Sequence, residues 1–172
     1  MVDAFVGLGS NMGDCVGNLV EARAGIAALR GTRHVASSPV YRTEPVDVPE
    51  QYKDQWFFNA AVWFKTELPV EEWSRELHAV EARLFRVRGE RNAPRTIDID
   101  LLTYDDAVIS RPDLTLPHPQ CARRRFVCQP LADICPGLTL PGQTKTVAEI
   151  LATLPHAPRV EAWEDGRWLS ER

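Results

Sequence analysis

The order of two hydrophobic patterns along the chain most limits the folds it can adopt. A short apolar segment predicts a strand from Ala4 to Leu8, which Gly9-Ser10-Asn11 ends. Helical spacing of apolar residues then predicts a helix that Asp14 caps and that runs to about Leu29. The next predicted elements are a strand from His34 to Arg42, a strand from Trp56 to Phe64, a helix after Pro69 and a strand from Thr96 to Leu102.

This order, strand-helix-strand-strand-helix-strand, is the split βαβ arrangement of ferredoxin-like folds. The sequence therefore predicts an α+β fold of this kind with a mainly antiparallel sheet. The predicted C-terminal additions are a short helix and turn within residues 114–137, a helix from Thr146 to Leu154, and a hairpin from Arg159 to Leu169 that turns at Asp165-Gly166. With 172 residues, 44% of them apolar, we expect a single domain over residues 1–172.

A long polar connection from Thr43 to Asp54 contains two prolines and is typical of a loop. Loops of this length in compact domains often have a function. In the strand that follows, Phe57, Asn59, Ala61 and Trp63 share one face, because side chains alternate along a strand. Phe57 and Asn59 can therefore reach one ligand.

Charge and hydropathy argue against two classes of protein. The net charge of -4 argues against a general nucleic-acid binder, which usually carries a basic excess. No apolar run approaches the length that spans a membrane, and the start of the chain does not have the pattern of a secretory signal. We expect a cytoplasmic protein that binds neither nucleic acid nor membranes.

The cysteines do not have metal-site spacing, since none of them forms a Cys-x-x-Cys pair. Cys121, Cys128 and Cys135 are seven residues apart, but Pro130 and Pro136 are expected to interrupt any helix that would align them. We interpret the cysteines as buried thiols.

The predicted strand from Thr96 to Leu102 has Ile97, Ile99 and Leu101 on one face and two carboxylates, Asp98 and Asp100, on the other. Two ionised carboxylates so close repel each other, and a hard divalent cation removes that penalty. Oxygen ligands that leave positions vacant suit Mg²⁺, which water and substrate phosphates then complete. The alternative is a pair of surface aspartates that bind neighbouring arginines.

Two arginine clusters accompany these aspartates in an acidic protein. The first consists of Arg83, Arg86, Arg88, Arg91 and Arg95, and the second of Arg123, Arg124 and Arg125. Guanidinium groups offer planar, bidentate donors that match phosphate oxygens. Carboxylates for a metal beside arginines for phosphate indicate a phosphoryl-transfer site. A solvated charged face is the alternative for some of the arginines.

The sequence matches neither of two common nucleotide-binding motifs. Gly7-x-Gly9-x-x-x-Gly13 is one residue too long for the dinucleotide fingerprint, and no parallel βαβ unit accompanies it. The chain also has no Gly-x-x-x-x-Gly-Lys-Ser/Thr segment, so a P-loop is absent. His118, between two prolines, would by itself indicate only a structural histidine.

Several short segments, in this order, resemble a known family. They are Gly9-Ser10-Asn11, Tyr41-Arg42-Thr43-x-Pro45, Phe58-Asn59-Ala60-Ala61-Val62, Arg86-Val87-Arg88, Arg91-x-x-Pro94-Arg95-x-x-Asp98-Ile99-Asp100-Leu101-Leu102, Leu116-Pro117-His118 and Arg124-x-Phe126. Over roughly Ala4 to Pro136 the sequence resembles the 6-hydroxymethyl-7,8-dihydropterin pyrophosphokinases of folate biosynthesis. The resemblance implies an αβα sandwich that transfers diphosphate from ATP to the pterin hydroxymethyl group and releases AMP.

The resemblance also implies roles for individual residues. Asp98 and Asp100 would hold two Mg²⁺ ions that arrive with ATP, and with Arg88 and Arg95 they would form the catalytic set. The residues implied to contact ATP are Arg86, Arg88, Arg95, the backbone of Ile99, Thr115, His118 and Arg124. Those implied to bind the pterin are Thr43, Pro45, Val46, Phe57, Asn59 and Phe126. A heteroaromatic ring requires aromatic faces and a few fixed polar partners, which this second set offers.

Two rival functions fit parts of the sequence. A nucleotidyl- or monophosphoryl-transferase could use the same fold, and its products would differ. An RNA-binding ferredoxin-like module should place aromatic and basic residues on its central strands, whereas the fourth predicted strand carries two aspartates. The expected protein is therefore a monomeric enzyme whose partners are ATP and a hydroxymethyl dihydropterin.

Overall fold

A computed structural model describes residues 1–84, 96–163 and 168 of the chain. Its strands are β1 (Val2–Ser10), β2 (Thr32–Ser37), β3 (Tyr41–Thr43), β4 (Phe57–Thr66), β5 (Asp98–Tyr104), β6 (Ile109–Arg111), β7 (Leu114–Leu116) and β8 (Val160–Ala162). Its helices are α1 (Cys15–Ala27), α2 (Val70–Arg83), α3 (Arg125–Ile134) and α4 (Val147–Thr153), with a short 3₁₀ turn at Glu50–Tyr52.

One antiparallel sheet organises the molecule, in the order β5-β1-β4-β3-β8, with β2 also paired to β4. Strands β1 and β4 form the longest ladder, which runs without a register shift from Val2 opposite Thr66 to Ser10 opposite Phe58. If β2 and β3 are counted as one interrupted strand, this is the strand order of a ferredoxin-like fold. The predicted fold class is therefore confirmed.

Helices cover both faces of the sheet. On one face, the apolar stripe of α2 contributes Trp73, Leu77 and Val80 to a core that also includes α1 and the α1-facing side chains of β1, β4 and β5. On the other face, Cys128 and Leu131 of α3 pack against α4 and the opposite side of the sheet. The central strands β1, β4 and β5 thus carry buried residues on both faces, and the three layers form an αβα sandwich.

The prediction of one strand from His34 to Arg42 is wrong. Strand β2 ends at Ser37 and β3 begins at Tyr41, so three residues interrupt the ladder with β4. Pro39 lies in the break and cannot donate a backbone hydrogen bond. Ser38 bridges the break, because its N–H donates to the carbonyl of Ala61 (2.9 Å) and its Oγ accepts the N–H of Ala61 (2.9 Å).

The expectation that Pro130 interrupts a helix is also wrong, because α3 continues through it to Ile134. Pro130 is buried, so its packing offsets the one helical hydrogen bond that a proline cannot make. The prediction of buried thiols is confirmed for Cys121 and Cys128, whereas Cys15 and Cys135 are only partly buried. Burial raises the pKa of Cys121 to about 12, so this thiol stays protonated at neutral pH.

The C-terminal additions partly match their prediction. The predicted helix appears as α4, whose N-terminus has a capping box between Thr146 and Glu149. The first arm of the predicted hairpin forms β8, but β8 pairs with β3, and the predicted turn lies outside the described residues. The β6–β7 hairpin was not predicted. In the described part of the chain, each helix is too short or too polar to cross a bilayer.

Substituting Asp14 tests the start of α1, where the predicted cap is confirmed. The Asp14 carboxylate accepts the N–H of Gly17 at 3.0 Å. We expect Asp14→Ala to lower the free energy of unfolding by about 1 kcal/mol, because a helix N–H loses its partner. Asp14→Asn keeps a capping oxygen and is the control. Urea denaturation of both variants measures the difference, and equal losses would contradict the capping role.

Candidate active site

The two aspartates of β5 share one face of the sheet, as predicted. Ile97, Ile99 and Leu101 are at most 8% exposed and belong to the core beneath α1 and α2. Asp98 and Asp100 face the other side, where the side chain of Asp100 is 48% exposed. The apolar face therefore anchors the strand, and the carboxylates lie on the side of the cavity.

Two glycines of β1 lie beside the aspartates. Gly9 is opposite Asp98 on one side and Asn59 on the other, while Gly7 is opposite Asp100 and Ala61. A Cβ atom at Gly9 would approach Oδ1 of Asn59 to 2.9 Å, closer than such contacts normally come. In the sequence, Gly7 and Gly9 fit no dinucleotide fingerprint, and only Gly9 belongs to a segment of the family resemblance. The signal for a shared role is their alternation on a central strand, which places both on one face.

Polar and aromatic side chains continue the same face across β4 and β3. Asn59 donates from Nδ2 to Oγ1 of Thr43 at 2.6 Å, and this bond orients the amide. Thr43 is 1% exposed, so its hydroxyl is an internal partner and not a surface group. Phe57 lies opposite Thr43 in the ladder. The predicted pterin residues of these two strands are thus brought together.

A cavity of about 170 Å³ opens above this face. Seven of the predicted site residues line it: Thr43, Val46, Phe57, Asn59, Asp98, Asp100 and Phe126. Phe126 reaches it from the first turn of α3. Glu44, within the Thr43 to Val46 backbone that the resemblance implies for the pocket, lines it too. Lining residues to which no role was assigned from the sequence include Gly7, Gly9, Val48, Leu102 and Val127. Pro45 is absent from the lining, although both of its chain neighbours belong to it.

His118, which the resemblance implies as an ATP contact, lies beside Asp100. Its N–H donates to the carbonyl of Leu102 (2.8 Å), which holds the segment after β7 against β5. Its Nδ1 accepts the N–H of Gln120 at 3.2 Å, and its Nε2 lies 4.0 Å from Oδ1 of Asp100. Burial lowers the pKa of His118, and the carboxylate of Asp98 partly opposes this shift. The neutral ring therefore carries its proton on Nε2, toward Asp100.

Arg124 precedes α3 and connects it to the loop after β3. Its Nη2 lies 3.1 Å from Oδ2 of Asp47, and its Nε donates to Oε1 of Gln120 at 3.2 Å. Asp47 lies between two residues that line the cavity, Val46 and Val48. The structure therefore places this predicted phosphate ligand at the rim of the cavity, in an ion pair with the loop.

Thr115 and Ile99, two of the residues implied to contact ATP, lie apart from the cavity lining. Thr115 is exposed on β7, where its Oγ1 donates to the carbonyl of Arg111 at 3.3 Å. The N–H of Ile99 donates to Oε1 of Glu81 at 3.0 Å. Glu81 is 5% exposed and was missed, although it follows Leu77 by four residues on the apolar stripe of α2.

Three predicted phosphate ligands, Arg86, Arg88 and Arg95, lie outside the described residues. Within the residues that are described, no group of three or more His, Cys, Asp or Glu side chains is arranged to hold a metal ion. The aspartate pair of β5 would need oxygens from a ligand or water to complete such a site.

Comparison with known proteins identifies relatives that cover most of the chain. A protein of Methylorubrum extorquens named 2-amino-4-hydroxy-6-hydroxymethyldihydropteridine pyrophosphokinase is 45% identical over 154 residues, which is 90% of this chain and 94% of the relative. A protein of the same name from Pseudomonas aeruginosa is 34% identical, over 88% of this chain and 91% of the relative.

Solved structures share the fold at low identity. A crystal structure of Plasmodium falciparum HPPK-DHPS has a TM-score of 0.66 and 15% identity over 88% of this chain. This chain covers 43% of that longer one. The model of the 7,8-dihydro-6-hydroxymethylpterin-pyrophosphokinase (HPPK) family matches residues 5–136. The family match and the relatives agree, and the chain belongs to the HPPK family.

Proposed function

We propose that this protein transfers the diphosphoryl group of ATP to the hydroxymethyl group of 6-hydroxymethyl-7,8-dihydropterin, in folate biosynthesis. The observation that carries the proposal is the composition of one cavity. Two carboxylates, Asp98 and Asp100, lie at one side of it, and an aromatic and amide set lies at the other. A substrate that joins a flat heterocycle to a reacting hydroxyl would place its ring and its reacting group against these two parts.

The amide and aromatic part fits the heterocycle. Phe57 and Phe126 line the cavity from different elements and offer apolar faces to a ring. One N–H of Asn59 is held by Thr43, so the second N–H and the carbonyl oxygen have a set direction toward a ligand. Gly9 keeps the floor beside this amide free of a side chain. A pterin edge alternates donors and acceptors, as an amide does.

The carboxylate part fits Mg²⁺ by the chemistry of its donors. Asp98 and Asp100 provide oxygen ligands from one rigid strand, and the exposed fraction of Asp100 leaves room for water and phosphate. Two Mg²⁺ ions bound there would neutralise phosphate oxygens and lower the pKa of the attacking hydroxyl. His118, with its proton on the side of Asp100, is placed to donate to a phosphate oxygen.

The proposed reaction forms one bond and breaks one bond at the β-phosphorus. The pterin hydroxyl oxygen attacks in line, the bond from the β-phosphorus to the α,β-bridging oxygen breaks, and AMP leaves while the hydroxyl proton is released. The protein orients the two substrates and excludes water from the cavity. We further propose that the chain acts as a single-domain monomer in the cytoplasm, and that Arg86, Arg88, Arg95 and Arg124 bind the phosphates of ATP.

Product analysis tests the reaction against its rivals. The protein is incubated with ATP, Mg²⁺ and the hydroxymethyl dihydropterin, and both products are identified by mass spectrometry. AMP and the pterin diphosphate are expected. ADP with a pterin monophosphate, or pyrophosphate with an adenylylated pterin, would instead establish a monophosphoryl- or nucleotidyl-transferase.

The aspartates can be tested separately for fold and turnover. We expect Asp98→Ala and Asp100→Ala to lower turnover by several orders of magnitude, because the two carboxylates would bind the Mg²⁺ ions whose charge stabilises the transition state. The melting temperature without metal should stay the same or rise slightly, since like-charge repulsion is relieved. Asp106→Ala, in the exposed turn after β5, is the control. Near-normal turnover in a folded Asp98 or Asp100 variant would exclude the metal role.

Asn59→Ala should weaken pterin binding by about 1–3 kcal/mol, because buried polar partners are left unpaired. ATP binding should change little. Calorimetry with each substrate measures the two affinities, and equal losses for both would count against the assignment.

Gly9→Ala should also weaken pterin binding and leave ATP binding little changed. The new Cβ would lie 2.9 Å from Oδ1 of Asn59 and would displace that amide. Gly137→Ala is the matched control, because a Cβ there contacts nothing within 4 Å. Unaltered pterin affinity in Gly9→Ala would show that the floor of the cavity tolerates a methyl group and that the amide is not positioned there.

A further inference from the structure

The loop between β3 and β4 begins and ends beside the proposed pterin pocket. It starts at Glu44, directly after Thr43, and finishes at Trp56, directly before Phe57. Glu44 itself lines the cavity. The β3–β4 ladder already pairs Thr43 with Phe57, so a group that contacts both ends of this loop can adjust the side chains that border the pocket.

Arg159 contacts the first end of the loop through backbone and side chain. Its N–H donates to Oε2 of Glu44 (2.6 Å), its carbonyl accepts the N–H of Glu44 (3.0 Å), and its Nε lies 3.3 Å from Oε1 of Glu44. The backbone bond from the N–H of Glu44 continues the β3–β8 pairing one residue beyond Thr43 opposite Val160, and the other two contacts go to the carboxylate of Glu44. The N–H of Arg159 is the main reason why the pKa of Glu44 is lowered.

The same guanidinium contacts the second end of the loop. The Cζ atom of Arg159 lies 5.0 Å from the ring centre of Trp56, and that of Arg42 lies 4.7 Å from it. Glu161 joins the two arginines, at 2.9 Å from Arg42 and 3.6 Å from Arg159. Stacked guanidinium groups restrict the position of an indole ring.

We propose that Arg159 is a positioning residue for the pterin pocket, because it joins the two ends of the loop between β3 and β4. This inference rests on the proposed function and extends it to a strand beyond residues 5–136, the part matched by the family model. Arg159 does not line the cavity and acts through Glu44 and Trp56. Its side chain is 63% exposed, so its contribution to global stability is small.

Arg159→Ala keeps the backbone bonds to Glu44 and removes the side-chain contacts. We expect the dissociation constant for the pterin to rise roughly three- to tenfold, the size expected when an exposed ion pair and a cation–π contact are lost together. The affinity for ATP and the melting temperature should stay at wild-type values. Arg159→Lys keeps the charge but not the planar stacking surface, so it should restore only part of the affinity. Arg33→Ala, an exposed arginine on β2, is the control.

Calorimetry with the pterin and with ATP, on the full chain, gives the decisive comparison. Wild-type protein that fails to bind the pterin would overturn the proposed function. Pterin binding by wild type with an unchanged constant in Arg159→Ala would overturn only the positioning role. Equal losses for pterin and ATP, or a lowered melting temperature, would assign Arg159 a merely structural role and also overturn the inference.

A double-mutant cycle tests the route of the effect. If Arg159 acts through Glu44, adding Arg159→Ala to Glu44→Ala should weaken pterin binding less than Arg159→Ala does alone. Fully additive losses would contradict action through Glu44.

Discussion

The ladder between β1 and β4 is the interaction on which the site depends. It sets Gly9 opposite Asn59, and the neighbouring β1–β5 ladder sets Gly9 opposite Asp98, so one row of the sheet runs from a carboxylate across a glycine to an amide. A slip by one residue would turn every member of that row to the opposite face. Large side chains buried on the α1 and α2 side, such as Phe64, make such a slip costly.

Because side chains alternate along a strand, one strand can contribute some residues to the core and others to the proposed active site. On β5, Ile99 and Leu101 lie in the core while Asp98 and Asp100 face the cavity. Glu81 adds a second constraint, because it accepts the N–H of Ile99, the residue between the two aspartates. The backbone that carries the carboxylates is thus held from the core side, which pre-organises the pair before any ligand binds.

The pocket at the other end of the row is built from parts that lie far apart in the chain. Thr43, Asn59 and Phe126 come from β3, β4 and α3, and β8 closes the sheet beside β3. Tyr41 donates a hydrogen bond to Asp133 and ties α3 to the same strand. Strand β8, which lies outside the family match, therefore supports β3, which lies inside it. It does so through backbone hydrogen bonds, which do not depend on the identity of the side chains.

The sequence by itself determined the order of the main strands and helices, though neither the break between β2 and β3 nor the β6–β7 hairpin. It also determined the faces of β4 and β5 and the cap of α1, because these follow from local periodicity and local hydrogen bonds. It also identified the aspartate pair, because two carboxylates two residues apart on a strand share one face and suit a divalent cation. Tertiary structure alone decided that Gly9 is the floor beside Asn59, that Glu81 holds Ile99 and that β8 joins β3. These contacts connect residues distant in the chain, and no local pattern encodes which strand edge or carboxylate a distant segment will meet.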